Sequence, residues 1–433
     1  MTLSTEVPTK IDFTERAEEV PLEELPTPVL TLDRNALRNN IDTMAAWCRA
    51  SGVDLAPHGK TTMAPAIWRQ QLDAGAWGIT VATAYQAEVA REAGVRNIIF
   101  AGTTFSPDAL ARLAEPGSDV LMWLDSVAGV RLVDEALGRR SGTGAASGST
   151  GTSAARQLPV LVELGSPGAR TGARTIEAAL RVARAVAEAD HLVLAGVAGY
   201  EGALSHETNP GALQIVDDYL ATMIELHDVI DGELFADWLA RGGDVVLTAG
   251  GSIYFDRVVE ALGFRHDPEG ARGVRTRVVL RSGSYVAHDH GHYRRLTPFG
   301  RTDASERFLP ALDLWASVIS RPEPTLALLN VGRRDTSDDE GLPLLIEAYR
   351  TASGVGHRIP GAVESARVTA LNDQHAFVAL PAESTLAVGD VVRLGISHPC
   401  TTFDKWSEIA TIDDGRDEGH GLPRVTGRIV TRF

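Results

Sequence analysis

The sequence predicts an α/β protein: an eight-stranded (β/α) barrel of the TIM type followed by a smaller, mainly β domain. Three observations predict it. From residue 28 to about 286, short β-rich runs alternate with helical stretches, the pattern of parallel strands joined by crossover helices. After about 286 the runs become short, β-branched and punctuated by Pro and Gly. At 433 residues the chain is also longer than one ordinary domain. The resulting division is an N-terminal arm over 1–25, a barrel over 26–285 and a β domain over 286–433.

The strands expected in the first part are 28–33, 53–58, 78–83, 97–102, 119–125, 159–165, 192–199, 245–249 and 276–282. Helical spacing fills most gaps, at 34–50, 63–74, 84–93, 106–114, 127–138, 174–188, 211–240 and 253–262. Nine strands are one too many for an eight-stranded barrel. Placing the first of them, 28–33, elsewhere leaves eight and puts His58 and Lys60 at the C-terminal end of barrel strand one, the face where such barrels keep their chemistry. Residues 141–156 (SGTGAASGSTGTSAAR) are Gly/Ser/Ala/Thr-rich and predict a flexible surface loop within the barrel. The β domain is expected from the runs 314–320, 325–330, 366–372, 375–380 and 390–396.

Composition excludes several classes. With 44% hydrophobic and 23% charged residues the chain can bury a large core. Its 57 acidic against 41 basic residues leave a charge of −16, which argues against nucleic-acid or anionic-membrane partners. An anionic cofactor would need a local cradle of backbone amides. No apolar run approaches the roughly 20 residues of a membrane span, and Met1 to Glu24 lacks the zones of a signal peptide. Only Cys48 and Cys400 occur. Cys48 falls in a helical pattern and reads as a buried thiol, so a cytoplasmic protein without disulfides is the simplest expectation.

Two stretches carry chemistry. Ala56-Pro57-His58-Gly59-Lys60-Thr61-Thr62-Met63 ends a strand-like run with a lysine suited to a Schiff base with a carbonyl cofactor. A side-chain period of two places His58 and Lys60 on one side. The alternative for Lys60 is a solvent-facing loop lysine. Ile396-Ser397-His398-Pro399-Cys400 offers imidazole and thiolate one residue apart, and an extended segment would point both at one zinc ion. Two protein ligands leave positions for water and substrate. Asp404, His375 and Asp373 are candidates to support the pair.

Glycine cups recur at strand ends. Thr248-Ala249-Gly250-Gly251-Ser252 follows the seventh barrel strand and Arg281-Ser282-Gly283-Ser284-Tyr285 the eighth, where barrels commonly hold phosphate on backbone N–H groups. Tight turns alone would also use these glycines. Arg170, in the loop after the fifth strand, faces a cofactor ring oxygen, a substrate carboxylate or solvent. Tyr200, at the end of the sixth, is either a hydrogen-bonding group in the site or a core aromatic. Tyr285, His288, Asp289, His290 and His292 either line the site or form a solvated loop.

Taken together, Pro57-His58-Gly59-Lys60-Thr61, Arg170-Thr171-Gly172, Gly250-Gly251-Ser252, Gly283-Ser284-Tyr285 and His398-Pro399-Cys400 resemble the D-serine dehydratase/D-threonine aldolase family of pyridoxal-phosphate enzymes, with the alanine-racemase-type barrel of fold type III. The resemblance implies pyridoxal 5′-phosphate on Lys60, with His58, Arg170, Tyr200, Thr248, Gly250, Gly251, Ser252, Gly283, Ser284 and Tyr285 around it. It also implies a divalent metal on His398 and Cys400, zinc or alternatively manganese, and a homodimer. The first strand, 28–33, would join the C-terminal β domain. The chain departs from the family where Ala203-Leu204-Ser205 precede His206 and where Asn372-Asp373 precede His375.

The chemistry implied is a lyase acting on a small β-hydroxy D-amino acid. Lys60 would take the Cα proton while the metal eases departure of the hydroxyl, converting D-serine to pyruvate and ammonia. The alternative is a D-threonine aldolase that gives glycine and an aldehyde. A racemase and a non-catalytic pyridoxal-phosphate-binding protein are further alternatives.

Overall fold

The protein is described from a computed structural model covering residues 20–117, 119–143, 157–271, 273–301, 307–351, 356–413 and 421–433. The N-terminal arm lies outside these through residue 19, and the expected 141–156 loop lies outside them from 144 onward. A helix, Val127–Thr143, takes the loop's first three positions. The chain forms two compact units, one from residues 44–60 and 68–283, the other from the described parts of 1–43, 61–67 and 284–433.

The first unit is an eight-stranded parallel sheet with helices. Its strands are β1 (Asp54–Leu55), β2 (Ile79–Val81), β3 (Asn97–Phe100), β4 (Asp119–Leu124), β5 (Leu158–Leu164), β6 (Leu192–Gly199), β7 (Val245–Ala249) and β8 (Thr276–Leu280). Their order around the sheet is β1-β8-β7-β6-β5-β4-β3-β2. Every residue of β5, β6 and β7 is buried, as expected of strands covered on both faces. Inside, Trp123, Leu121, Leu161 and Val246 interlock with the small Ala56, Ala195 and Ala198 in one cluster. Gly196 permits the tightest strand contact. Its φ is +150°, and a Cβ there would lie 1.9 Å from the Val246 carbonyl oxygen.

Helix starts follow the sequence. Thr83, Ser106, Thr175 and Asn209 each accept a backbone N–H from the first turn of the helix they precede. The expected helix 211–240 is instead broken after Val229. Asp231 accepts the Glu233 N–H (3.1 Å) and starts a separate turn, a local side-chain bond that competes with helix continuation. A cavity of about 410 Å³ lined by Trp77, Asn97, Asp119 and Trp238 lies at the N-terminal ends of the strands.

The second unit is mainly β. The strand Val29–Asp33 pairs antiparallel with Leu312–Glu323 and parallel with Glu408–Ile412, so it does leave the barrel for the C-terminal sheet. Leu312–Glu323 also pairs with Val391–Gly395, which pairs in turn with Leu344–Arg350. The last strand, LLIEAYR, mixes Ile and Tyr with the weak β formers Glu and Ala, and its pairing with Val391–Gly395 makes it a strand. A buried ion pair joins the sheet, with the Arg393 guanidinium 2.7 Å from Asp313 and 3.2 Å from Glu347. Among the described residues no helix is long and apolar enough to cross a membrane.

Two non-glycine residues of this unit have positive φ, Met63 (+40°) and His288 (+49°). The Met63 carbonyl accepts the Arg432 N–H at 2.7 Å. The His288 ring packs on Phe308 at 5.8 Å. Burial, with His290 and Arg294 nearby, pushes its pKa down to about 3. The folded protein thus holds this imidazole neutral, a contribution intact above the ordinary 6.5 and lost as pH falls from there toward 3. Its neighbour Asp289, pushed up to about 6 by burial, works the other way and favours the folded state as pH falls below 6. We therefore expect His288→Asn, which tolerates the same backbone region, to lose less stability in acid than the unaltered chain. The gap should change by up to roughly 1.4 kcal/mol per pH unit below 6.5. Denaturant midpoints from pH 4 to 7.5 measure it; a gap independent of pH would contradict the assignment.

Candidate active site

In the barrel unit the lysine is placed by how β1 ends. β1 is two residues long, but its bonds continue: Ala56 N–H donates to Leu280 O (2.8 Å), Trp77 N–H to Leu55 O (2.8 Å) and Thr80 N–H to Pro57 O (2.9 Å). After the bridge between His58 and Thr80 the chain turns into a short 3-10 segment, Gly59–Thr61, carrying Lys60. The expected strand through residue 58 with His58 and Lys60 on a shared face is thus corrected, because the turn ends the period-two geometry first. Gly59 is required here, since a Cβ would meet the Trp68 ring at 2.8 Å and Ile79 at 2.9 Å. Gly283 packs against the same turn, where a Cβ would lie 2.6 Å from His58 O.

His58 is the most informative neighbour. Its Nδ1 is buried and has no hydrogen-bond partner among the described residues. Burial and the cations of Lys60, Arg281 and Arg170 hold its pKa well below the histidine range, so the ring is neutral. An orphaned polar nitrogen beside a lysine is a place for a polar ligand. Arg281, at the end of β8, is buried on the Trp123 ring (4.8 Å) and donates to Thr248 Oγ1 (2.7 Å) and Gly199 O (2.5 Å). Thr248 also donates to Val279 O (2.7 Å), so its hydroxyl is engaged within the fold. Arg170 is exposed, with its guanidinium 5.0 Å from the centre of the Tyr200 ring.

Acidic groups missed by the sequence reading shape this end of the barrel. Glu163, at the end of β5, is buried and accepts from Thr171 (2.9 Å); burial raises its pKa. Asp125 accepts the Gly172 N–H (3.0 Å). Glu201 is fully buried and accepts the N–H groups of Gly250 (3.0 Å) and Gly251 (2.5 Å), the two amides expected to face phosphate. Ser282 Oγ donates to the Gly251 carbonyl (3.2 Å) and lies 3.4 Å from that of Gly250. Each acid lies inside or beside a motif already noted, but nothing in the spacing reveals that it points inward.

In the second unit His398 and Cys400 come together by a different route from the one expected. The segment is not extended: Pro399 is helical (φ −62°, ψ −43°) and Cys400 opens a short helix, Cys400–Phe403. The two side chains nevertheless lie close enough for each to shift the other's protonation. Asp339 Oδ2 lies 2.8 Å from His398 Nδ1, leaving Nε2 for a metal, as in carboxylate–histidine–metal arrangements. Thr61 and Ser284 hydroxyls lie 3.2 and 3.5 Å from the Cys400 sulfur. Burial opposes both charged forms, but Cys400 and then Asp339 raise His398 to about 9, while His398 draws the thiol pKa down. The metal-free pair is accordingly predisposed to thiolate. These donors fit a zinc-type ion.

The expected supports divide. Asp404 is near enough to feel Asp339 and His398. His375 is exposed, and Asp373 sits on the surface 3.1 Å from Arg334. Asp339 takes their place, 59 residues before His398 and without a spacing signal. Tyr285 is buried with its ring 5.6 Å from Phe308. Asp289 accepts the N–H groups of Gly291 (2.8 Å) and Tyr293 (3.0 Å), and His292 pairs with Glu340 at 3.1 Å.

Gly283→Ala should displace the His58 turn and weaken cofactor binding by at least about tenfold, a cost of about 1.4 kcal/mol or more. Titration of stripped protein with pyridoxal phosphate checks this, and unchanged affinity would show that the turn tolerates the methyl group.

Residues 32–225 match the alanine racemase N-terminal domain and residues 311–412 the putative serine dehydratase domain. The chain is 27% identical over 327 residues to a 3-hydroxy-D-aspartate aldolase of Paracoccus denitrificans, covering 74% of this chain and 76% of the relative. It is 26% identical over 406 residues to a D-threonine aldolase of an Arthrobacter species, covering 91% of each. Among solved structures, the D-threo-3-hydroxyaspartate dehydratase of Delftia sp. HT23 superposes with a TM-score of 0.67 at 24% identity, over 93% of this chain and 98% of that one. With these matches, the chain belongs to the D-serine dehydratase/D-threonine aldolase family of fold type III pyridoxal-phosphate lyases.

Proposed function

We propose that this lyase of β-hydroxy D-amino acids is a metal-dependent D-serine dehydratase. The observation that carries the reading is the donor set: a half-buried cysteine sulfur next to an imidazole oriented by Asp339. A thiolate favours a softer ion such as zinc over manganese. Pyridoxal phosphate, when bound, supplies the carbonyl and the electron sink, and a divalent ion supplies a Lewis acid for the leaving hydroxyl.

The chain's own groups have separable tasks. Lys60 would hold the cofactor and would take the substrate's Cα proton on Nζ. Neutral His58 offers its orphaned Nδ1 to the bound cofactor without adding positive charge that would compete for it. Ser252 and Gly283 would serve as phosphate donors, and Arg170 with Tyr200 would border the ring. His398 and Cys400 hold the metal, and Asp339 holds His398 in the orientation that frees Nε2. Along the sequence Lys60 immediately precedes Thr61, and Gly283 precedes Ser284, the two residues whose hydroxyls meet Cys400. Elimination of water from D-serine, followed by hydrolysis, gives pyruvate and ammonia.

The aldolase alternative is supported by the two relatives named above, both aldolases. In it the same metal holds the hydroxyl while a base removes its proton and the Cα–Cβ bond breaks. Incubation with D-serine and D-threonine, with and without a chelator, separates the two. Pyruvate and 2-oxobutyrate that vanish on chelation are expected; glycine and acetaldehyde would make the protein an aldolase.

Lys60→Ala should lose both the yellow colour and turnover, whereas His398→Ala should keep the colour and lose elimination. Asp339→Asn should bind metal about 10- to 100-fold more weakly with the cofactor colour unchanged. Equal metal affinity, measured by competition with a chromophoric chelator, would remove Asp339 from the site.

A further inference from the structure

We infer that Glu201, and not the cofactor phosphate, is the resident anion of the Gly250–Gly251 amides, and that it acts as a positioning residue for the phosphate end of the site. The inference rests on the pyridoxal-phosphate reading above and deepens it. Both peptide N–H groups of the cup end on one carboxylate, at 3.0 and 2.5 Å. The Gly251 carbonyl accepts the Ser282 hydroxyl at 3.2 Å, with that of Gly250 at 3.4 Å. The turn after β7 is therefore saturated by a residue following β6 and a residue following β8, which laces three strand ends together.

There is no room for a second anion on these donors. Glu201 has no exposed surface. A Cβ on Gly251 would already stand 3.1 Å from the Tyr200 ring and 3.3 Å from Glu201 Oε1. At Gly250 (φ +111°) a Cβ would meet the Leu280 side chain at 2.9 Å. The segment that carries Glu201 is itself pinned, because Tyr254 Oη donates to Ser205 O (3.1 Å) and Glu207 O (2.6 Å), and Tyr200 N–H donates to Tyr219 Oη (3.1 Å). A phosphate on the same two amides would lie within contact distance of the carboxylate, and each would raise the cost of the other. The glycines thus serve the close approach of Glu201, and the phosphate is left to groups other than these two amides.

The opposite possibility, that Glu201 only fills the cup until phosphate displaces it, predicts the opposite sign. Full-length protein is stripped of cofactor and reloaded, comparing the unaltered chain with Glu201→Gln and Glu201→Ala. Three quantities are read: pyridoxal-phosphate affinity from the absorbance of the lysine adduct, competition by inorganic phosphate, and the thermal midpoint. For a resident anion, Glu201→Gln binds the cofactor about tenfold more weakly and Glu201→Ala more weakly still, as expected on losing charge-assisted bonds. Inorganic phosphate competes no better than against the unaltered chain. Tighter cofactor or phosphate binding by Glu201→Gln overturns the inference, as does unchanged affinity in that isosteric variant. If Glu201→Ala does not fold, Glu201→Gln alone decides. An unaltered chain that takes up no pyridoxal phosphate overturns the parent reading and this inference with it, whereas normal uptake with a tighter variant overturns only the inference.

Discussion

The hydrogen bond from the Thr80 N–H to the Pro57 carbonyl is the constraint on which the barrel end depends. β1 has only two ladder residues and could not by itself fix the direction of the chain beyond it. With Ala56 bonded to β8 on one side and Pro57 bonded to β2 on the other, the backbone has both neighbours before it turns. His58 and Lys60 then leave the sheet at a defined point. The two glycines that touch this turn, Gly59 and Gly283, lack side chains because the Trp68 ring and the His58 backbone occupy that space. A reactive lysine on a mobile loop would spread its amine over many positions; one on a turn bonded from two sides does not.

Electrostatics at this end runs against the global charge. The chain carries −16 overall, yet Lys60, Arg170 and Arg281 all press on one histidine. Arg281 is buried and held by neutral oxygens, with Glu163 and Glu201 as the nearest acids. Glu163 is pushed toward its neutral form by burial. A positive field in a low-dielectric cup within a negative protein draws a small anion without drawing nucleic acid or an anionic membrane. Buried Arg281 is the source that salt screens least, whereas exposed Arg170 is screened within a Debye length.

Much of the fold was legible in the sequence because parallel strands buried on both faces announce themselves as continuous apolar runs, as Val245–Ala249 and Leu192–Gly199 do. Val29–Asp33 read equally well as a strand, and only the count of nine, with the family resemblance, sent it to the C-terminal sheet. What stayed hidden depends on partners distant in sequence. Leu344–Arg350 is a strand because Val391–Gly395 pairs with it, not because of its own residues. Among the site residues, Lys60, His398 and Cys400 were visible as motifs. Asp339, Glu201 and Glu163 were not, since an acid in a turn looks the same whether it meets water or a buried amide. Extended geometry was also assumed at two places, residues 58–60 and 398–400, where short helical turns do the positioning.

The two turns share a physical logic that separates this chain's chemistry from its scaffold. An extended segment would set the two α-carbons ~7 Å apart, with both side chains on one face. The helical step at Pro399 shortens that span and lets His398 and Cys400 meet, while Thr402 Oγ1 bonds back to His398 O (2.9 Å) and locks the step. Holding a thiolate there without a metal would be costly in apolar surroundings. Thr61 and Ser284 hydroxyls offset that cost, and His398 supplies the counter-charge. On the reading proposed above, an ion bound here would find the sulfur already held by the Thr61 and Ser284 hydroxyls and the ring by Asp339, so little of the surrounding structure would have to change. A donor set held in advance by the fold would take up an ion without folding around it.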